Sequence, residues 1–142
     1  MSKKEFTFGI IKPDVTVKGL DEVNKVVADI NASGLEVVSV VHRFLDRGEA
    51  ESFYAEHNAK PWFGDLIDYM VREPVALMLI GGANAVQNYR DLCGPTDPSD
   101  AAEGTLRAKY GTSRDENAVH SSDSVASAQR ELHFFFPEFQ IK

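Results

Sequence analysis

One uninterrupted apolar run, Val75 to Ile80, constrains the fold more than any other stretch of the chain. Glu73-Pro74 introduces the run and Gly81-Gly82 ends it, so its length and its boundaries are those of a strand. A strand without polar residues is typical of a sheet whose two faces are both covered. The run therefore predicts a buried strand against which other elements pack.

Periodicity in the apolar residues predicts the remaining elements. Alternation and β-branched content predict strands, whereas a spacing of three to four residues predicts helices. The predicted strands span residues 5–11, 35–44, 75–80 and 118–120. The predicted helices span residues 19–33, 47–58, 61–71 and 84–93, with a last one that begins after Asp123 or Ser124. Asp46 is the predicted cap of the helix that follows it.

In order, these elements reduce to a βαββαβ pattern. This is the ferredoxin-like α+β arrangement, a four-stranded antiparallel sheet with helices on one face. A helical hairpin over residues 47–71 is inserted between two strands, and a long loop over residues 94–116 precedes the last strand. At 142 residues the chain is predicted to form a single domain, residues 1–142.

The segment from Asn117 to Asp123 is the least core-like part of the chain. It sets His120 among small polar residues, directly before a predicted helix. The N-terminus of a helix favours anions because unpaired N–H groups and the helix dipole point there. The loop before it exceeds ~15 residues, and loops of that length inside a compact domain tend to be functional. His120 is thus a candidate for chemistry on an anion, with a polar loop carrying an incidental histidine as the alternative.

Compact phosphate-binding and zinc signatures are missing from the sequence. It contains no Gly-x-x-x-x-Gly-Lys-Ser/Thr loop, no Gly-x-Gly-x-x-Gly after a strand and no His-x-x-x-His pair. A phosphate site must therefore be built from dispersed side chains, and arginine, lysine, hydroxyl and amide groups are suited to it. The candidates at element ends or in the long loop are Lys12, Arg90, Thr96, Arg107 and Asn117.

Charge and cysteine usage narrow the class of partner. With 15 basic and 22 acidic residues, the net charge of -7 repels a polyanion, so nucleic acid is not expected as a partner. The lone Cys93 excludes an internal disulfide and fits a reducing cytoplasm. No apolar run approaches ~20 residues, so no membrane span is expected. We therefore predict a cytoplasmic protein, and a small anionic ligand is compatible with this composition if the few arginines converge.

Two aromatic residues of the helical hairpin are candidates for contact with a ligand. Tyr54 and Trp62 lie near helix ends, where an aromatic face can hold a flat heterocycle by stacking. Packing in the core is the alternative, and the sequence favours it slightly for Tyr54.

Seven short motifs follow one another along the chain. They are Ile11-Lys-Pro-Asp14, Phe53-Tyr-Ala-Glu-His57, Lys60-Pro-Trp-Phe63, Pro74-Val-Ala, Gly104-Thr-Leu-Arg107, Asn117-Ala-Val-His120 and Ser127-Ala-Gln-Arg-Glu131. In the identity, order and spacing of these motifs the chain resembles a nucleoside diphosphate kinase, and the resemblance covers essentially the whole length.

The resemblance implies a ping-pong transfer of the γ-phosphate from a nucleoside triphosphate such as ATP to a different nucleoside diphosphate, which maintains nucleotide pools. By that analogy His120 becomes a phosphohistidine, attacking through Nδ1 while Glu131 holds Nε2. Ser122 helps to position Glu131. A neutral imidazole with one nitrogen fixed by a carboxylate has the required nucleophilic character.

The same resemblance assigns the substrate contacts. Lys12, Arg90 and Arg107 supply positive charge around the phosphates, and Thr96 contacts a phosphate oxygen. Tyr54 lies near the transferred group. Mg²⁺ is carried with the nucleotide, and the assembly is a homotetramer or homohexamer.

The nucleoside of the substrate is assigned by resemblance as well. Trp62 occupies the position of a phenylalanine that stacks on the base, and a stacking contact reads no base edge. Asn117 bonds the ribose and its 3'-hydroxyl together with Lys12.

Three positions depart from the family pattern. Ser121 replaces a glycine, which adds bulk beside the nucleophile and restricts the backbone. Glu103 replaces a proline and is expected to loosen the long loop. Ala108-Lys109 replaces Gly-Asp. No predicted catalytic residue is lost, so activity is expected.

Two other functions follow from weaker features. A catalytically silent relative that responds to nucleotides is one alternative, with Ser121 as the damaging change. A nucleic-acid module is the other, because RNA-binding domains share this topology. The chain lacks the aromatic-rich strand signature of such modules, and its net charge is negative where a nucleic-acid module needs a positive one.

Overall fold

The computed structural model describes residues 4–139. Its centre is a four-stranded antiparallel sheet in the order β2-β3-β1-β4, which confirms the predicted ferredoxin-like sheet. The strands are β1 (Lys4–Ile11), β2 (Glu36–Arg43), β3 (Val75–Ala83) and β4 (Val119–Ser121). The apolar run forms most of β3 and is buried along its full length, as predicted.

Helices connect the strands. They are α1 (Pro13–Thr16), α2 (Leu20–Ala32), α3 (Arg47–Phe53), α4 (Phe63–Val71), α5 (Ala85–Cys93), α6 (Leu106–Tyr110) and α7 (Val125–Phe135). The predicted cap at Asp46 is confirmed, since its carboxylate accepts from the N–H of Glu49 in a capping box. Ser124 caps α7 by accepting from the N–H of Ser127. No helix within residues 4–139 is long and apolar enough to cross a membrane.

Helices cover both faces of the sheet, so the prediction that they lie on one face is wrong. Phe8 and Ile10 of β1 pack in one core with residues of α3, α4 and α7. Ile11 points to the opposite face and packs in a second core with residues of α2 and α5. The physical reason lies in β3, because a strand that is apolar on both faces has to be shielded on both.

Several predicted bounds are off by one or two residues, and three predicted segments differ more from the structure. Strand β3 continues past Gly81–Gly82 to Ala83 because β1 still offers partners there, down to Lys4 opposite Ala83. The helix predicted over residues 47–58 ends at Phe53 and passes into a separate 3-10 turn, Ala55–His57. The loop over residues 94–116 is not irregular throughout, since it contains the 3-10 turn Pro98–Asp100 and helix α6.

Gly9 allows helix α5 to pack closely on β1. A Cβ atom at position 9 would lie 2.7 Å from the hydroxyl oxygen of Tyr89 and 2.9 Å from its Cε2. Tyr89 is fully buried, and its hydroxyl donates to the carbonyl oxygen of His120 at 3.3 Å. The phenol therefore has no free space to move into, and a residue larger than glycine forces the helix away from the sheet.

We expect Gly9→Ala to lower the free energy of unfolding by about 1–3 kcal/mol, the usual cost of overpacking a filled core. Urea denaturation measures the change. Gly64→Ala in α4 is the matched control, because nothing lies within 4 Å of the added Cβ and alanine favours a helix. Equal destabilisation of the two variants would contradict the close contact with Tyr89.

Glu103 occupies the first corner of a tight turn in the long loop. The N–H of Thr105 donates to the carbonyl oxygen of Ala102 at 3.1 Å, and Gly104 has a φ of 93°. A positive φ at the third residue is the mark of a type II turn, in which proline is favoured at the second residue. The turn therefore forms with Glu103 in place of proline. Glu103 does not fix the φ angle as proline does, so the unfolded chain keeps more conformational freedom.

Glu103→Pro is expected to raise the free energy of unfolding by about 0.4–1 kcal/mol, because a fixed φ leaves the unfolded chain fewer conformations. No hydrogen bond from the N–H of Glu103 is lost, as none forms within residues 4–139. Glu103→Ala is the control and should give no such gain. If both substitutions stabilise equally, removal of the negative charge explains the effect instead.

Candidate active site

The segment 117–123 brings the predicted polar residues together at one edge of the sheet. It comprises Asn117, strand β4 and the approach to α7, and β4 pairs with the end of β1, with His120 opposite Ile10. Side chains of Lys12, which directly follows β1, and of α5, α6 and α7 all reach this segment. Residues far apart in sequence thus meet around one histidine.

A buried carboxylate holds the ring of His120. Its Nε2 lies 2.7 Å from Oε1 of Glu131, and the hydroxyl of Ser122 donates to that same oxygen at 2.9 Å. Glu131 and Ser122 are buried, whereas the His120 side chain keeps 18% of its surface exposed. A carboxylate at Nε2 favours the tautomer with its proton on that nitrogen, which leaves the Nδ1 lone pair free.

Aromatic rings enclose His120 on the side of the α3, α4 and α7 core. Ring centroids of Phe8, Phe53 and Tyr54 lie 5.9, 5.4 and 6.3 Å from that of His120. Phe53 and Tyr54 meet the imidazole edge to face, an arrangement that aromatic pairs prefer. The rings restrict rotation of the imidazole about its side-chain bonds.

Tyr54 combines a packed ring with a buried hydroxyl. Its ring is buried, yet its hydroxyl has no hydrogen-bond partner within residues 4–139. Burial, followed by the neighbouring Glu131 carboxylate, raises the pKa of this phenol well above its usual range. The hydroxyl therefore stays protonated and remains a hydrogen-bond donor without an acceptor among these residues.

Lys12 lies at the end of β1 and points at Asn117. Its Nζ donates to Oδ1 of Asn117 at 2.9 Å, and the Asn117 amide donates in turn to the carbonyl oxygen of Thr96 at 3.0 Å. Burial, with the nearby Arg107 guanidinium second, lowers the pKa of Lys12 to about 8. The ammonium is thus the main form at neutral pH and loses its proton at mildly alkaline pH.

Arg107 and Arg90 approach the same segment from two helices. Arg107 of α6 donates from Nη1 to the carbonyl of Gly94 at 2.7 Å and from Nη2 to that of Val119 at 2.9 Å. Its buried Nε has no partner within residues 4–139. Arg90 of α5 is exposed and donates to the carbonyl of Asp123 at 3.4 Å. Three cationic side chains therefore border the histidine segment.

Two of the predicted residues lie farther out. Thr96 is exposed, and its backbone carbonyl rather than its hydroxyl contacts Asn117. Trp62 directly precedes α4, is 46% exposed and packs its ring at 5.2 Å from that of His57. Among residues 4–139, no hydrogen bond or ring contact joins Trp62 to the segment 117–123. Its exposed face is free to receive a ligand.

Ser121 does not crowd the histidine, contrary to our expectation. Successive side chains in a strand point to opposite faces, and Ser121 pairs with Gly9 while His120 pairs with Ile10. The Ser121 hydroxyl consequently lies on the α5 side, where it contacts the thiol of Cys93. Ser121 also avoids a positive φ, so its backbone is an ordinary strand conformation.

The departure at Lys109 has a partner. Its Nζ lies 2.6 Å from Oδ2 of Asp29 in α2, and the hydroxyl of Tyr110 donates to that oxygen at 2.5 Å. These contacts tie α6, which carries Arg107, to α2.

Sequence analysis missed two residues of the site, Asp14 and Tyr69. The Asp14 carboxylate is buried and accepts from the N–H of Ala118 at 3.0 Å and from the Tyr69 hydroxyl. Ala118 has a φ of 75°, rare for a residue other than glycine. Only the position of Asp14 within the Ile11-Lys-Pro-Asp14 motif hinted at a role, and no feature of the sequence marked Ala118.

The arrangement suits phosphoryl transfer. It offers a nucleophile with one free ring nitrogen, positive charge from separate elements and two neutral donors, Asn117 and the Tyr54 hydroxyl. No group of three or more His, Cys, Asp or Glu side chains that could hold a metal ion occurs in the described part of the chain.

Comparisons with known proteins agree with this chemistry. The family model described as nucleoside diphosphate kinase matches residues 5–141. A nucleoside diphosphate kinase from Bordetella avium is 46% identical over 135 residues, which are 95% of this chain and 94% of that protein. One from Anaeromyxobacter dehalogenans is 44% identical over 137 residues, 96% of this chain and 92% of its own length.

Solved structures of the same family share the fold. The Aquifex aeolicus nucleoside diphosphate kinase superposes with a TM-score of 0.89 at 32% identity, covering 94% of this chain and 96% of its own. The Halobacterium salinarum enzyme in complex with CDP superposes with a TM-score of 0.88 at 36% identity. The match covers 94% of this chain and 88% of the Halobacterium chain. The chain therefore belongs to the nucleoside diphosphate kinase family and is a phosphotransferase that binds nucleoside phosphates.

Proposed function

We propose that His120 carries the γ-phosphate of ATP to a second nucleoside diphosphate in a ping-pong reaction. The observation that carries this proposal is the 2.7 Å contact between Nε2 of His120 and Glu131, which leaves Nδ1 as the attacking nitrogen. The Ser122 hydroxyl supports it by fixing the carboxylate. An imidazole held this way loses little freedom when it enters the transition state.

In the first half-reaction, Nδ1 attacks the γ-phosphorus while the bond to the β–γ bridging oxygen breaks. The electron pair of that bond leaves with ADP, and the Nε2 proton remains shared with Glu131. In the second half-reaction, a β-phosphate oxygen of the acceptor attacks the phosphohistidine and the imidazole recovers its lone pair. Splitting the transfer in this way lets one site serve both nucleotides.

Positive charge from Lys12, Arg90 and Arg107 offsets the charge of the phosphates. A loose phosphoryl-transfer transition state requires positioning and charge neutralisation more than covalent assistance. We assign the Tyr54 hydroxyl to the transferred group and Thr96 to a phosphate oxygen. The unpartnered hydroxyl of Tyr54 and the exposure of Thr96 support these two assignments.

We assign the nucleoside to Asn117, Lys12 and Trp62. Asn117 and Lys12 bond the ribose and its 3'-hydroxyl, and the base stacks on the exposed face of Trp62. Stacking is tolerant of base identity, so purine and pyrimidine nucleotides are both substrates. The complex of the Halobacterium relative with CDP supports a pyrimidine in this fold.

Mg²⁺ enters with the nucleotide as part of the substrate. The cationic side chains of the site repel a bare divalent ion, and no cluster of metal-binding side chains occurs among the described residues. The ion therefore takes phosphate oxygens and water as ligands, as Mg²⁺ commonly does with nucleotides.

We infer a cytoplasmic, single-domain subunit that assembles into a homotetramer or homohexamer. The apolar side chains Val38, Val41 and Phe44 are exposed on or beside the edge strand β2, which supports self-association. The buried free thiol of Cys93 supports a reducing compartment. The net charge of -7 argues against nucleic acid as a partner. Light scattering of the purified chain gives the subunit number.

Replacing the nucleophile tests the proposal directly. Wild-type protein given ATP labelled at the γ-phosphate should gain an acid-labile, base-stable label and pass it to added GDP, whereas His120→Ala should do neither. The control is His133→Ala, an exposed histidine on α7 that should keep both activities. Label retained in His120→Ala, or nucleotide binding by wild type without any exchange, would show that His120 is not the carrier.

The depressed pKa of Lys12 predicts a pH dependence. Below about pH 8 the ammonium is present, and as pH rises through 8 it loses its proton and its attraction for phosphate. We expect kcat/KM for ATP, which reports groups of the free enzyme, to fall above pH 8.

Lys12→Gln and Lys12→Arg provide the two comparisons for that profile. The glutamine variant should have a low kcat/KM that is flat through this range, because no proton is lost there. The arginine variant should be flat at a higher value, since its charge persists. A decline above pH 8 that is unchanged in both variants would assign the titration to another group.

A further inference from the structure

The backbone immediately before β4 makes a turn that alanine rarely adopts. At Ala118 the φ angle is 75°, and the N–H of Val119 donates to the carbonyl oxygen of Asn117 at 2.9 Å. A bond across three residues with positive φ at the centre is a γ-turn of the rare, strained type. Alanine gains nothing from this conformation by itself, so surrounding contacts have to impose it.

The segment that follows β1 supplies those contacts. The carbonyl oxygen of Ala118 accepts from the backbone N–H of Lys12 at 2.8 Å, and the N–H of Ala118 donates to Oδ2 of Asp14 at 3.0 Å. Both backbone polar groups of this buried alanine are thus satisfied by two residues of one short segment. The first contact is backbone only, whereas the second depends on a side chain that can be changed.

Tyr69 of α4 fixes the carboxylate in place. Its hydroxyl donates to Oδ1 of Asp14, and the side chains of both residues are buried. Burial, followed by the bond to Asp14, raises the pKa of the Tyr69 phenol far above its usual range, so the phenol remains a donor. The cationic groups that face Asp14 are Lys12 and Arg72, and the Arg72 guanidinium stacks over the Tyr69 ring at 4.9 Å.

The turn matters because it sets which face of the sheet His120 occupies. Side chains alternate along β4, so a shift of one residue in its pairing with β1 moves every side chain to the other face. His120 would then point toward α5 and away from Glu131. Three residues of pairing give β4 little means of fixing its own register.

We propose that Asp14 is a positioning residue for phosphoryl transfer, whose carboxylate, held by Tyr69, maintains the left-handed turn at Ala118 that directs His120 and Asn117 into the site. The inference rests on the role proposed above for His120. Asp14 touches neither reacting atom in this scheme and acts through the backbone.

The decisive experiment combines two substitutions. One removes the Asp14 carboxylate, and the other replaces Ala118 by glycine, which adopts the turn without that support. Asp14→Ala should slow phosphorylation of His120 by ATP, measured by rapid quench, by roughly tenfold to a hundredfold, because small misplacements of reacting groups have effects of that size. Adding Ala118→Gly to this variant should restore most of the rate, since glycine adopts positive φ without support.

Rescue separates the proposed role from two others. If Asp14→Ala lowers the melting temperature but leaves the rate per folded molecule unchanged, the carboxylate is structural only and the proposal fails. If the rate falls and Ala118→Gly does not restore it, Asp14 acts through another group, and the proposal fails as well. A shift of the alkaline pH limb of Asp14→Ala would then identify Lys12 as that group, because the Asp14 charge raises the Lys12 pKa.

A milder pair of variants keeps the test valid should Asp14→Ala not fold. Tyr69→Phe and Tyr110→Phe each remove one phenol-to-aspartate hydrogen bond, to Asp14 and to Asp29 respectively. Only Tyr69→Phe should slow His120 phosphorylation, and Ala118→Gly should restore it. Equal rates in the two variants would overturn the proposal. Absence of label on wild-type protein would instead refute the role of His120 itself.

Discussion

Burial of the two central strands on both faces is the constraint from which the rest of the structure follows. Strand β3 is apolar throughout, and β1 pairs with it over its whole length, so two layers of helices are required. Because β1 is held by its pairing with β3, its other edge is free to pair with β4. Strand β4 has only three residues and would not be stable without this pairing. The position of His120 on β4 therefore depends on the packing of β3, the most hydrophobic part of the chain.

Most polar groups of the site are buried and hydrogen-bonded, although the Nε of Arg107 and the Tyr54 hydroxyl have no partner within residues 4–139. Glu131, Ser122, Asn117 and Arg107 are all buried, and each makes hydrogen bonds to neighbouring elements. An unpaired polar group in the interior costs about 1–3 kcal/mol. Loss of one of these hydrogen bonds therefore also destabilises the buried partner that it leaves unpaired. Their dipoles are already oriented before a nucleotide arrives, which spares the reorganisation that water would need during the reaction.

Periodicity and boundary residues were enough to predict the sheet, its topology and most of the elements, and the placement of polar residues at element ends was enough to single out Lys12 and His120. The prediction of helices on one face was wrong because it followed from the βαββαβ order alone, whereas the apolar run of β3 already indicated cover on both faces. Partners distant in sequence, such as Glu131, came from family resemblance. The turn at Ala118 was unpredictable, since tertiary hydrogen bonds and no local preference set its φ.

The overall charge and the local charge of the site act on different ligands. At physiological salt, exposed charges more than about 8 Å apart are largely screened, so the net charge of -7 is felt mainly by an extended polyanion lying along the surface. In the site proposed above, the phosphates of a nucleotide lie beside three cationic side chains, Lys12, Arg90 and Arg107. Burial and Arg107 lower the pKa of Lys12 to about 8, and phosphates bound beside it would favour the ammonium form. A bound nucleotide would therefore extend to higher pH the range in which Lys12 keeps its charge.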